Sequence, residues 1–474
     1  MRKTTRREIL KTGLYGVGAV ALGPYTRILG SNDDIGVAVI GFRSRGASLL
    51  ESFEKIEGVR ITALCDADEQ VLQREAAKRP GVFATTDMRR VMDRGDVDVV
   101  VSATPNHWHA LLTVWACQAG KDVYIEKPVS HNIWEGRKMV EAARKYGRIV
   151  GAGFQNRSDT GLRAFYQYLH EGNIGKVVAV RGLCYRNRSG IGLRKEPLSP
   201  PQSVDYDLWL GPAADLPIMR DQFHYDWHWI WNTGNGDVGN QGPHELDLMR
   251  WALKDPPHPR TVRSLGGRFA WGDAGETPNT LITEFDFDGV QGIFEVNDIP
   301  NGRNSKNYRG VGVGVIISCE GGEFRGGRGG GKVYDDEGQV IKDFPSDGGA
   351  GHQANFIEAV RARNSGLLTS EIENAHASTV LAHLANVSYR AGSLASSASV
   401  KELGREDEAI ADAIVRYEER LADNEVDLGR TPWKLGPKLM FDGDSERFVG
   451  RMSSAGNGML KRNYREPFVV PERV

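Results

Sequence analysis

The sequence predicts an α/β protein whose first domain is a doubly wound parallel sheet of the Rossmann type. Continuous apolar runs, typical of buried strands, alternate with helical patterns between residues 34 and 154. Glycine or charged residues follow directly after several of these runs, which is where ligands bind in such sheets. Longer stretches with alternating apolar and polar residues come later and predict a second domain that also contains a sheet.

The charge balance excludes some classes of partner. The 60 Lys and Arg residues are matched by 62 Asp and Glu residues. Because there is no basic excess, we expect no nucleic-acid partner, and a small molecule is favoured. The four cysteines form no CxxC pair, so the sequence indicates neither a zinc site nor a redox dithiol.

Residues 1–33 form a predicted N-terminal segment with its own character. Thr5–Lys11 (TRREILK) resembles a twin-arginine export signal, and a basic N-terminal arm is the alternative. The apolar run Gly13–Gly23 that follows is too short to span a bilayer stably. We therefore expect a periplasmic or otherwise exported protein that uses the twin-arginine route, with no stable membrane insertion after export.

The first strand leads into a glycine-bearing turn. Ile35–Ile40 is a buried-type run, and a helical pattern follows the turn. A dinucleotide-binding turn needs this strand-turn-helix context, although Arg43 replaces the middle glycine of GxGxxG. The candidate cofactor-binding residues of this turn are Gly41, Phe42, Arg43, Ser44, Arg45 and Gly46.

The second strand, Val59–Cys65, ends on Asp66. A carboxylate here can accept hydrogen bonds from the adenosine ribose hydroxyls and repel a 2′-phosphate, which favours NAD over NADP. Arg43 or Arg45 could soften this preference, so NADP stays possible. A helix cap is the alternative role for Asp66.

Two further strand ends complete this sheet edge. Val97–Ala103 precedes Thr104–His109 and the helix Leu111–Ala119, and the next strand ends on Glu126-Lys127-Pro128. The helix Ser130–Tyr146 and a last strand, Ile149–Phe154, close the predicted first domain, residues 34–154. The carboxyl ends of parallel strands share one edge, so we expect these residues to lie close to the glycine turn.

Residues 155–421 are predicted as the second domain, and residues 422–474 as a C-terminal extension that wraps the surface or a neighbouring subunit. The glycine-rich stretch Gly321–Gly331 predicts a loop. The predicted strands and helices are Lys176–Tyr185, Leu281–Phe287, Gly289–Asn297 and Val311–Cys319, then Gln353–Arg363 and Glu371–Ala391.

Together with the glycine-rich, histidine-bearing segment Gly236–Asp247, these motifs resemble the Gfo/Idh/MocA family of nicotinamide-dependent sugar and polyol oxidoreductases. The resemblance implies an α+β second domain with an open, mostly antiparallel sheet, whose exposed face forms a homo-oligomer, a dimer or a tetramer. It also implies a cofactor-site role for Thr104, Pro105, Asn106, His109, Glu126 and Lys127. Family members often carry Asp four residues before the histidine, whereas this chain has Asn240.

Lys127 and His244 are the predicted catalytic residues. An ammonium group beside the nicotinamide can hydrogen-bond the substrate hydroxyl and stabilise its alkoxide character as hydride leaves carbon. His244 suits proton transfer because the ordinary pKa of imidazole is near neutral. Asn240 cannot carry a proton, so base work falls to His244, Lys127 or Asp237.

The aromatic run Tyr225–Trp231 fits a carbohydrate pocket wall, or a strand with one face in the core. No metal site is expected, because His107, His109 and His244 lack carboxylate partners at ligand spacing. The predicted substrate-binding residues are Arg157, Tyr185, Trp229, Asp237, Asn240 and His244.

The resulting prediction is an exported NAD(P)-dependent oxidoreductase that acts on a sugar, polyol or sugar derivative. Outside the cytoplasm no nicotinamide pool is replenished, so a tightly bound cofactor is expected. One alternative is a redox-neutral, NAD-dependent glycosidase or lyase that oxidises the sugar transiently. Another is a non-catalytic nucleotide- or sugar-binding protein, which Arg43 and Asn240 would favour.

Overall fold

The computed structural model describes residues 34–256, 258–300 and 307–474. The predicted export signal lies outside the described residues. Within the described ranges, six parallel strands form the first sheet in the order β3-β2-β1-β4-β5-β6. These strands are β1 (Ile35–Ile40), β2 (Val59–Cys65), β3 (Phe83–Thr85), β4 (Val99–Ser102), β5 (Asp122–Ile125) and β6 (Val150–Ala152). This strand order is that of dinucleotide-binding Rossmann folds and confirms the predicted fold of the first domain.

Helices cover both faces of this sheet, which explains why its strands are continuously apolar. The helices that connect or follow the six strands are α1 (Arg45–Glu54), α2 (Glu69–Ala76), α3 (Arg89–Met92), α4 (His109–Gln118) and α5 (Ile133–Tyr146). Helix α1 packs on one face through Leu49, Leu50 and Phe53, and α4 and α5 pack on the other.

A second, larger sheet follows, and among the described residues it contains twelve strands. Its pairs are antiparallel except for the parallel pair β7–β10, so the predicted mostly antiparallel sheet is confirmed. Its strands are β7 (Val177–Tyr185), β8 (Thr261–Gly267), β9 (Thr280–Phe287), β10 (Val290–Asn297), β11 (Val313–Cys319), β12 (Gly322–Gly327), β13 (Gly330–Tyr334), β14 (Val340–Pro345), β15 (Ser393–Ala395), β16 (Trp433–Leu435), β17 (Leu439–Asp442) and β18 (Arg447–Val449).

The remaining helices complete the layers around this sheet. They are α6 (Thr160–His170), α7 (Tyr206–Leu210), α8 (Gly236–Asn240), α9 (Gly242–Ala252), α10 (His352–Ala362), α11 (Ile372–Ala391), α12 (Ser397–Glu406), α13 (Glu408–Asp423) and α14 (Ser453–Asn457). Helices α6, α9 and α11 contribute to the main core of the second sheet. Helices α12 and α13 pack on β8, β9 and β10 in a separate core, so part of the face that was expected to form a homo-oligomer is covered.

Two late segments return to the first sheet. Phe356 and Ile357 of α10 join the core beside β1 and β5. Phe468 and Val470 of the C-terminal extension are buried in the core beside α4. The extension therefore contributes to the core of the Rossmann half, while the predicted domain boundaries stay predictions.

The predicted loop Gly321–Gly331 is wrong, because these residues form strands β12 and β13. Sheet pairing uses only backbone groups, so glycine can take part where another group needs its space. A Cβ atom on Gly331 would lie 2.4 Å from the ring of Phe324, which stacks on Phe165 at 3.6 Å between ring centroids. The glycines therefore make room for an aromatic core.

The strand alternative for Tyr225–Trp231 is also wrong. Asp226–Trp229 is a 3₁₀ turn, and Tyr225 before it has a left-handed φ of 67°. The other predicted helices and strands differ from the observed ones by a few residues at their ends. None of the helices in the described ranges combines the length and apolar character that crossing a membrane would need.

Candidate active site

A cavity of about 540 Å³ lies at the carboxyl ends of β1, β2, β4 and β5. Its volume is within the range of cofactor and small-molecule sites. Predicted site residues among those that line it are Gly41, Arg43, Ser44, Arg45, Asp66, Thr104, Pro105, Asn106, His109, Glu126, Lys127 and Asn240. The structure thus brings the four strand ends together with three residues of the histidine-bearing segment, Gly236, Gly239 and Asn240.

The turn after β1 requires glycine at two positions. Gly41 has a left-handed φ of 75°, and a Cβ atom there would lie 3.1 Å from the Thr104 backbone nitrogen. A Cβ atom on Gly46 would lie 1.9 Å from the Gly41 carbonyl oxygen. The start of α1 is therefore held directly against the end of β1, as pyrophosphate binding at a helix N-terminus requires.

Arg43 does not fill the turn that it interrupts. Its guanidinium Nη1 donates to Asp68 Oδ2 at 3.0 Å, so the side chain is directed toward the end of β2. Phe42 is buried in the core beside β1, and its contribution to the site is a backbone N–H.

The backbone N–H of Phe42 helps to hold the side chain of Asp66 in place. Phe42 N donates to Asp66 Oδ2 at 3.1 Å, and Asp68 N donates to Asp66 Oδ1 at 3.0 Å. Burial raises the pKa of Asp66. The side chain that caps α2 is Asp68, which accepts from Gln70 N, so the alternative role of Asp66 as the helix cap is wrong.

The third strand end presents buried polar side chains. The ring nitrogens of His109 lie 2.7 Å from Pro128 O and 2.9 Å from Thr104 O. Burial lowers the pKa of His109 to about 4, so it is neutral at physiological pH. Asn106 Oδ1 is buried and has no hydrogen-bond partner within the described ranges. Because Asn106 lines the cavity, a ligand hydroxyl group is a candidate partner for this acceptor.

The fourth strand end carries Glu126 and Lys127. Glu126 Oε1 accepts from Arg45 Nε at 2.8 Å and from Gln155 Nε2 at 3.2 Å. Lys127 Nζ donates to the backbone carbonyl of Asn240. Burial lowers the pKa of Lys127, opposed by the charge of Glu126 and of two other carboxylates. An ammonium group with a lowered pKa transfers a proton more readily near neutral pH.

Asn240 joins this lysine to a buried carboxylate. Asn240 Nδ2 donates to Asp237 Oδ1 at 2.8 Å, and Arg188 donates to both Asp237 oxygens at 2.7 and 3.0 Å. Burial alone would raise the pKa of Asp237, but Arg188 and its hydrogen bonds hold it below the usual value. Asp237 itself does not line the cavity.

His244 lies in the first turn of α9 and does not line the cavity. Its ring is buried beside Phe154, with 6.0 Å between ring centroids. Burial and the charge of Lys127 hold its pKa well below the usual value. His244 Nδ1 has no hydrogen-bond partner within the described part of the chain. His244 is thus a neutral imidazole within the electrostatic reach of Lys127.

Besides Asp237 and His244, three further predicted substrate-binding residues are not brought to the cavity. Arg157 is buried between Asp247 and Asp255, to which it donates at 2.6 to 2.9 Å. Tyr185 of β7 donates to Glu295 of β10 and accepts from Arg416 of α13. Trp229 is buried beneath Arg268, whose guanidinium carbon lies 4.9 Å from the ring centroid.

The cavity also has a wall that the aromatic run Tyr225–Trp231 predicted only in part. Its additional lining residues include Trp108, Trp209, His224, Tyr225, Trp227, His228 and Asn235. The aromatic run before His244 was a usable signal for Tyr225, Trp227 and His228. Trp209 and His224 carry no motif and reach the cavity only through the fold.

One buried group within the described ranges resembles a metal site. Ligand atoms of Cys184, Asp237 and Asp298 lie within 4.8 Å of one another. Arg188 already contacts both oxygens of Asp237. Burial and the neighbouring Asp237 raise the pKa of Asp298 well above the usual value. The Arg188 charge therefore offsets that of Asp237, and the raised pKa of Asp298 lessens the negative charge of the group.

A sheet of this strand order, with a glycine turn and polar strand ends on one edge, is typical of dinucleotide-binding oxidoreductases. Two family models agree with this class. The model described as "Oxidoreductase family, NAD-binding Rossmann fold" matches residues 35–154, and "Oxidoreductase family, C-terminal alpha/beta domain" matches residues 190–424. The chain belongs to the Gfo/Idh/MocA oxidoreductase family, as predicted.

Among curated relatives, this chain is similar to a "Glycosyl hydrolase family 109 protein" of Solibacter usitatus. The two are 36% identical over 168 residues, which cover 31% of this chain and 38% of the relative. "Glycosyl hydrolase family 109 protein 2" of Shewanella sp. (strain ANA-3) is 38% identical over 120 residues, which cover 23% of this chain and 26% of the relative. The likeness therefore spans well under half of these relatives.

Two solved structures share the fold. The WlbA dehydrogenase from Bordetella pertussis in complex with NADH and UDP-GlcNAcA has a TM-score of 0.57 and 18% identity, covering 75% of this chain and 97% of that chain. The aldose-aldose oxidoreductase from Caulobacter crescentus has a TM-score of 0.56 and 16% identity, covering 74% and 97%. At these identities the likeness concerns the fold.

Proposed function

We propose that this protein is an NAD-dependent oxidoreductase that moves a hydride between a carbohydrate carbon and the nicotinamide ring. The observation that carries the proposal is the position of Lys127. It lines the same cavity as the glycine turn and Asp66, which lie at other strand ends of one sheet. A lysine so placed can contact a substrate hydroxyl while the cofactor occupies the turn.

The residues at these strand ends fit a dinucleotide. The close approach of Gly46 to Gly41 leaves backbone N–H groups for the pyrophosphate, and Asp66 suits the ribose hydroxyls of NAD. Arg43 is partly exposed and can still approach a 2′-phosphate, so NADP stays a second cofactor candidate. When bound, the nicotinamide ring accepts or returns the hydride.

Lys127 would act on the proton. Its ammonium hydrogen-bonds the substrate oxygen and stabilises the negative charge that develops there as hydride leaves. The amide of Asn240 donates to Asp237, which leaves Asn240 Oδ1 as an acceptor for a substrate hydroxyl. His244, whose pKa is lowered partly by the charge of Lys127, would take part in proton transfer without contacting the substrate, because it does not line the cavity.

A carbohydrate substrate is supported by the aromatic wall and by the neighbours. Trp209, Tyr225 and Trp227 offer apolar faces beside the hydrogen-bonding groups of the cavity. One structural neighbour is titled as bound to UDP-GlcNAcA, and another is an aldose-aldose oxidoreductase. A sugar, polyol or sugar derivative is accordingly the proposed substrate.

The names of the curated relatives favour a second candidate function. Both relatives are called glycosyl hydrolase family 109 proteins. In a redox-neutral cycle, oxidation of a ring carbon acidifies its neighbour, elimination breaks the glycosidic bond, water adds, and the hydride returns to the sugar. Lys127 and Asn240 would serve the same oxygen in both reactions.

We further propose export by the twin-arginine route, on the strength of Thr5–Lys11. That route carries folded proteins, so cofactor loaded before export would stay tightly bound. A homo-oligomer remains part of the proposal. It would use the uncovered part of the second sheet, because α12 and α13 occupy the rest.

The deciding experiment measures cofactor and products together. Full-length protein is purified, gel-filtered and assayed for bound NAD and NADP by extraction. It is then offered free sugars and glycosides while nicotinamide absorbance and released sugar are followed. Net NADH formation supports a dehydrogenase, and sugar release at constant NADH supports the redox-neutral cycle. Protein that neither carries nor binds either nucleotide would overturn both.

A further inference from the structure

A second cavity of about 400 Å³ adjoins the candidate active-site cavity, and Asn235 lines both. It is formed by the start of α5, the segment from Trp231 to Asn235, the C-terminal half of α11 and residues 458–463 of the extension. None of the predicted cofactor-binding, catalytic or substrate-binding residues lines this cavity. It is large enough for a ligand of monosaccharide size.

The charged residues that line this cavity are basic. Arg390, Lys461 and Arg462 line it, and no Asp or Glu is among its lining residues in the described part of the chain. Lys461 forms an ion pair with Glu472. Within the described ranges, Arg390 and Arg462 have no carboxylate at ion-pair distance. Two guanidinium groups therefore face the cavity without a close counter-charge, which favours an anionic ligand.

The contacts of these arginines leave binding capacity free. Arg462 donates to uncharged acceptors only, Asn232 Oδ1 at 3.2 Å, His131 Nδ1 at 3.3 Å and Pro212 O at 3.4 Å. Arg390 lies over the ring of Trp231, with its guanidinium carbon 4.9 Å from the centroid. Each guanidinium group has about five N–H donors. The long hydrogen bonds of Arg462 and the ring contact of Arg390 therefore leave some of these donors free for a ligand.

The nearest carboxylates are already engaged elsewhere. Glu135 attracts Arg462 but accepts from His131 N, Asn132 Nδ2 and Tyr464 OH. Glu276 attracts Arg390 but accepts from Trp231 N at 2.7 Å. These carboxylates temper the positive potential without occupying the cavity.

A buried amide points to hydroxyl recognition in the same cavity. Asn386 donates through Nδ2 to Asn235 O at 3.0 Å. Its Oδ1 is buried and lacks a partner within the described ranges. A buried acceptor of this kind is satisfied by a donor such as a sugar hydroxyl. We propose that this cavity binds a small hydroxylated anion, a sugar acid or sugar phosphate, whose oxyanion contacts Arg390 and Arg462 and whose hydroxyl contacts Asn386.

The inference does not depend on hydride transfer, so calorimetry on full-length protein tests it directly. Glucuronate, glucose 6-phosphate, inorganic phosphate and glucose are the probes. We expect the two sugar anions to bind at least about tenfold more tightly than glucose, as charge-assisted contacts would predict. Binding should weaken by a similar factor as salt rises, since the site is partly open.

Arg390→Gln and Asn386→Ala separate the two proposed contacts. The first should reduce affinity for both sugar anions about tenfold, and the second should reduce it less. Arg430→Gln is the matched control, because Arg430 is exposed on the extension and does not line the cavity. Equal affinity for glucose and glucuronate would overturn the proposal. So would an unchanged affinity in Arg390→Gln, or phosphate binding as tightly as glucose 6-phosphate, which would remove the hydroxyl contact.

Discussion

Opposing electrostatic effects act on the pKa of Lys127. Burial favours the neutral amine, whereas Glu126, Asp237 and Glu245 favour the ammonium form. Its single side-chain hydrogen bond within the described ranges, to the Asn240 carbonyl, leaves donors for a substrate oxygen. A lysine that is protonated but partly desolvated is suited to stabilise a developing alkoxide and to release its proton afterwards.

Lys127→Ala should therefore lower turnover by about 10²- to 10⁴-fold, the usual contribution of a positioned acid or base. Bound nicotinamide should be retained, because the turn and Asp66 are untouched. Single-turnover kinetics and cofactor extraction measure the two effects. Lys55→Ala, at an exposed site after α1, is the control and should behave like the unaltered protein. Full activity of Lys127→Ala would contradict the proposed role.

Asp237 is a buried carboxylate that contacts the side chain of Asn240. It holds the Asn240 amide from behind, and Arg188 holds Asp237 in turn. Asp237 is a positioning residue, since it does not line the cavity. Its negative charge also raises the pKa of Lys127.

Asp237→Asn should shift the pH dependence of kcat/KM. Loss of the negative charge lowers the pKa of Lys127, so the ammonium form is lost at lower pH and the alkaline limb moves toward acid. Asp273→Asn is a matched control, because it breaks another buried Arg–Asp pair, with Arg268, away from Lys127. It should affect stability but not the alkaline limb. An unmoved limb in Asp237→Asn would show that Asp237 has only a structural role.

At the scale of elements, the turn between β1 and α1 sets the cofactor site. The helix begins so close to the strand that Gly46 touches the Gly41 carbonyl. Any Cβ atom at position 46 must push the helix N-terminus away from the sheet edge, where its N–H groups would meet the pyrophosphate.

Gly46→Ala should thus weaken NAD binding by more than tenfold and lower stability by about 1–3 kcal/mol, the usual effect of overpacking. Calorimetric titration with NAD and urea unfolding measure these two quantities. Gly95→Ala is the control, since a Cβ atom there has nothing within 4 Å. Equal NAD affinity in the two variants would mean that pyrophosphate binds elsewhere.

The first sheet could be predicted from the sequence because buried parallel strands are apolar throughout and end on recognisable residues. Strands β12 and β13 could not, because Gly326 and Gly331 make room for the Phe324 ring, and Gly327 and Gly330 make room for neighbouring backbone, which no local pattern shows. The residues of the candidate active-site cavity likewise divide into those that a local pattern predicts and those that it does not. Gly41, Asp66 and Lys127 lie next to strand ends, whereas Trp209 and His224 arrive through long-range packing. Arg157 was expected near substrate, but Asp247 and Asp255 surround it.

At the scale of the whole molecule, the C-terminal extension ties distant parts together. Phe468 is buried against Trp108, with 5.4 Å between ring centroids, and both line the cofactor cavity. Residues 458–463 line the second cavity. Glu446 links the extension to α5 through Arg137 and to α11 through His376, at 2.7 and 2.8 Å. Loss of the Glu446 ion pairs should therefore lower the stability of both the Rossmann half and the half that contains the second sheet.

Glu446→Gln should destabilise the protein by about 1–3 kcal/mol at neutral pH, the usual effect of losing hydrogen bonds to a charged, partly buried group. Burial alone would raise the pKa of Glu446, but His376 and Arg137 lower it to about 2 from a usual value of 4.5. A depressed pKa gives stability that is fully present above about pH 4.5 and is lost as the pH falls toward 2. The difference in unfolding free energy between Glu446→Gln and the unaltered protein, measured by urea unfolding, should therefore shrink across this range.

Glu472→Gln, the control, removes an exposed carboxylate of the same extension and should cost less than about 1 kcal/mol at any pH. A pH-independent loss in Glu446→Gln would mean that packing, and not the charge of Glu446, anchors the extension.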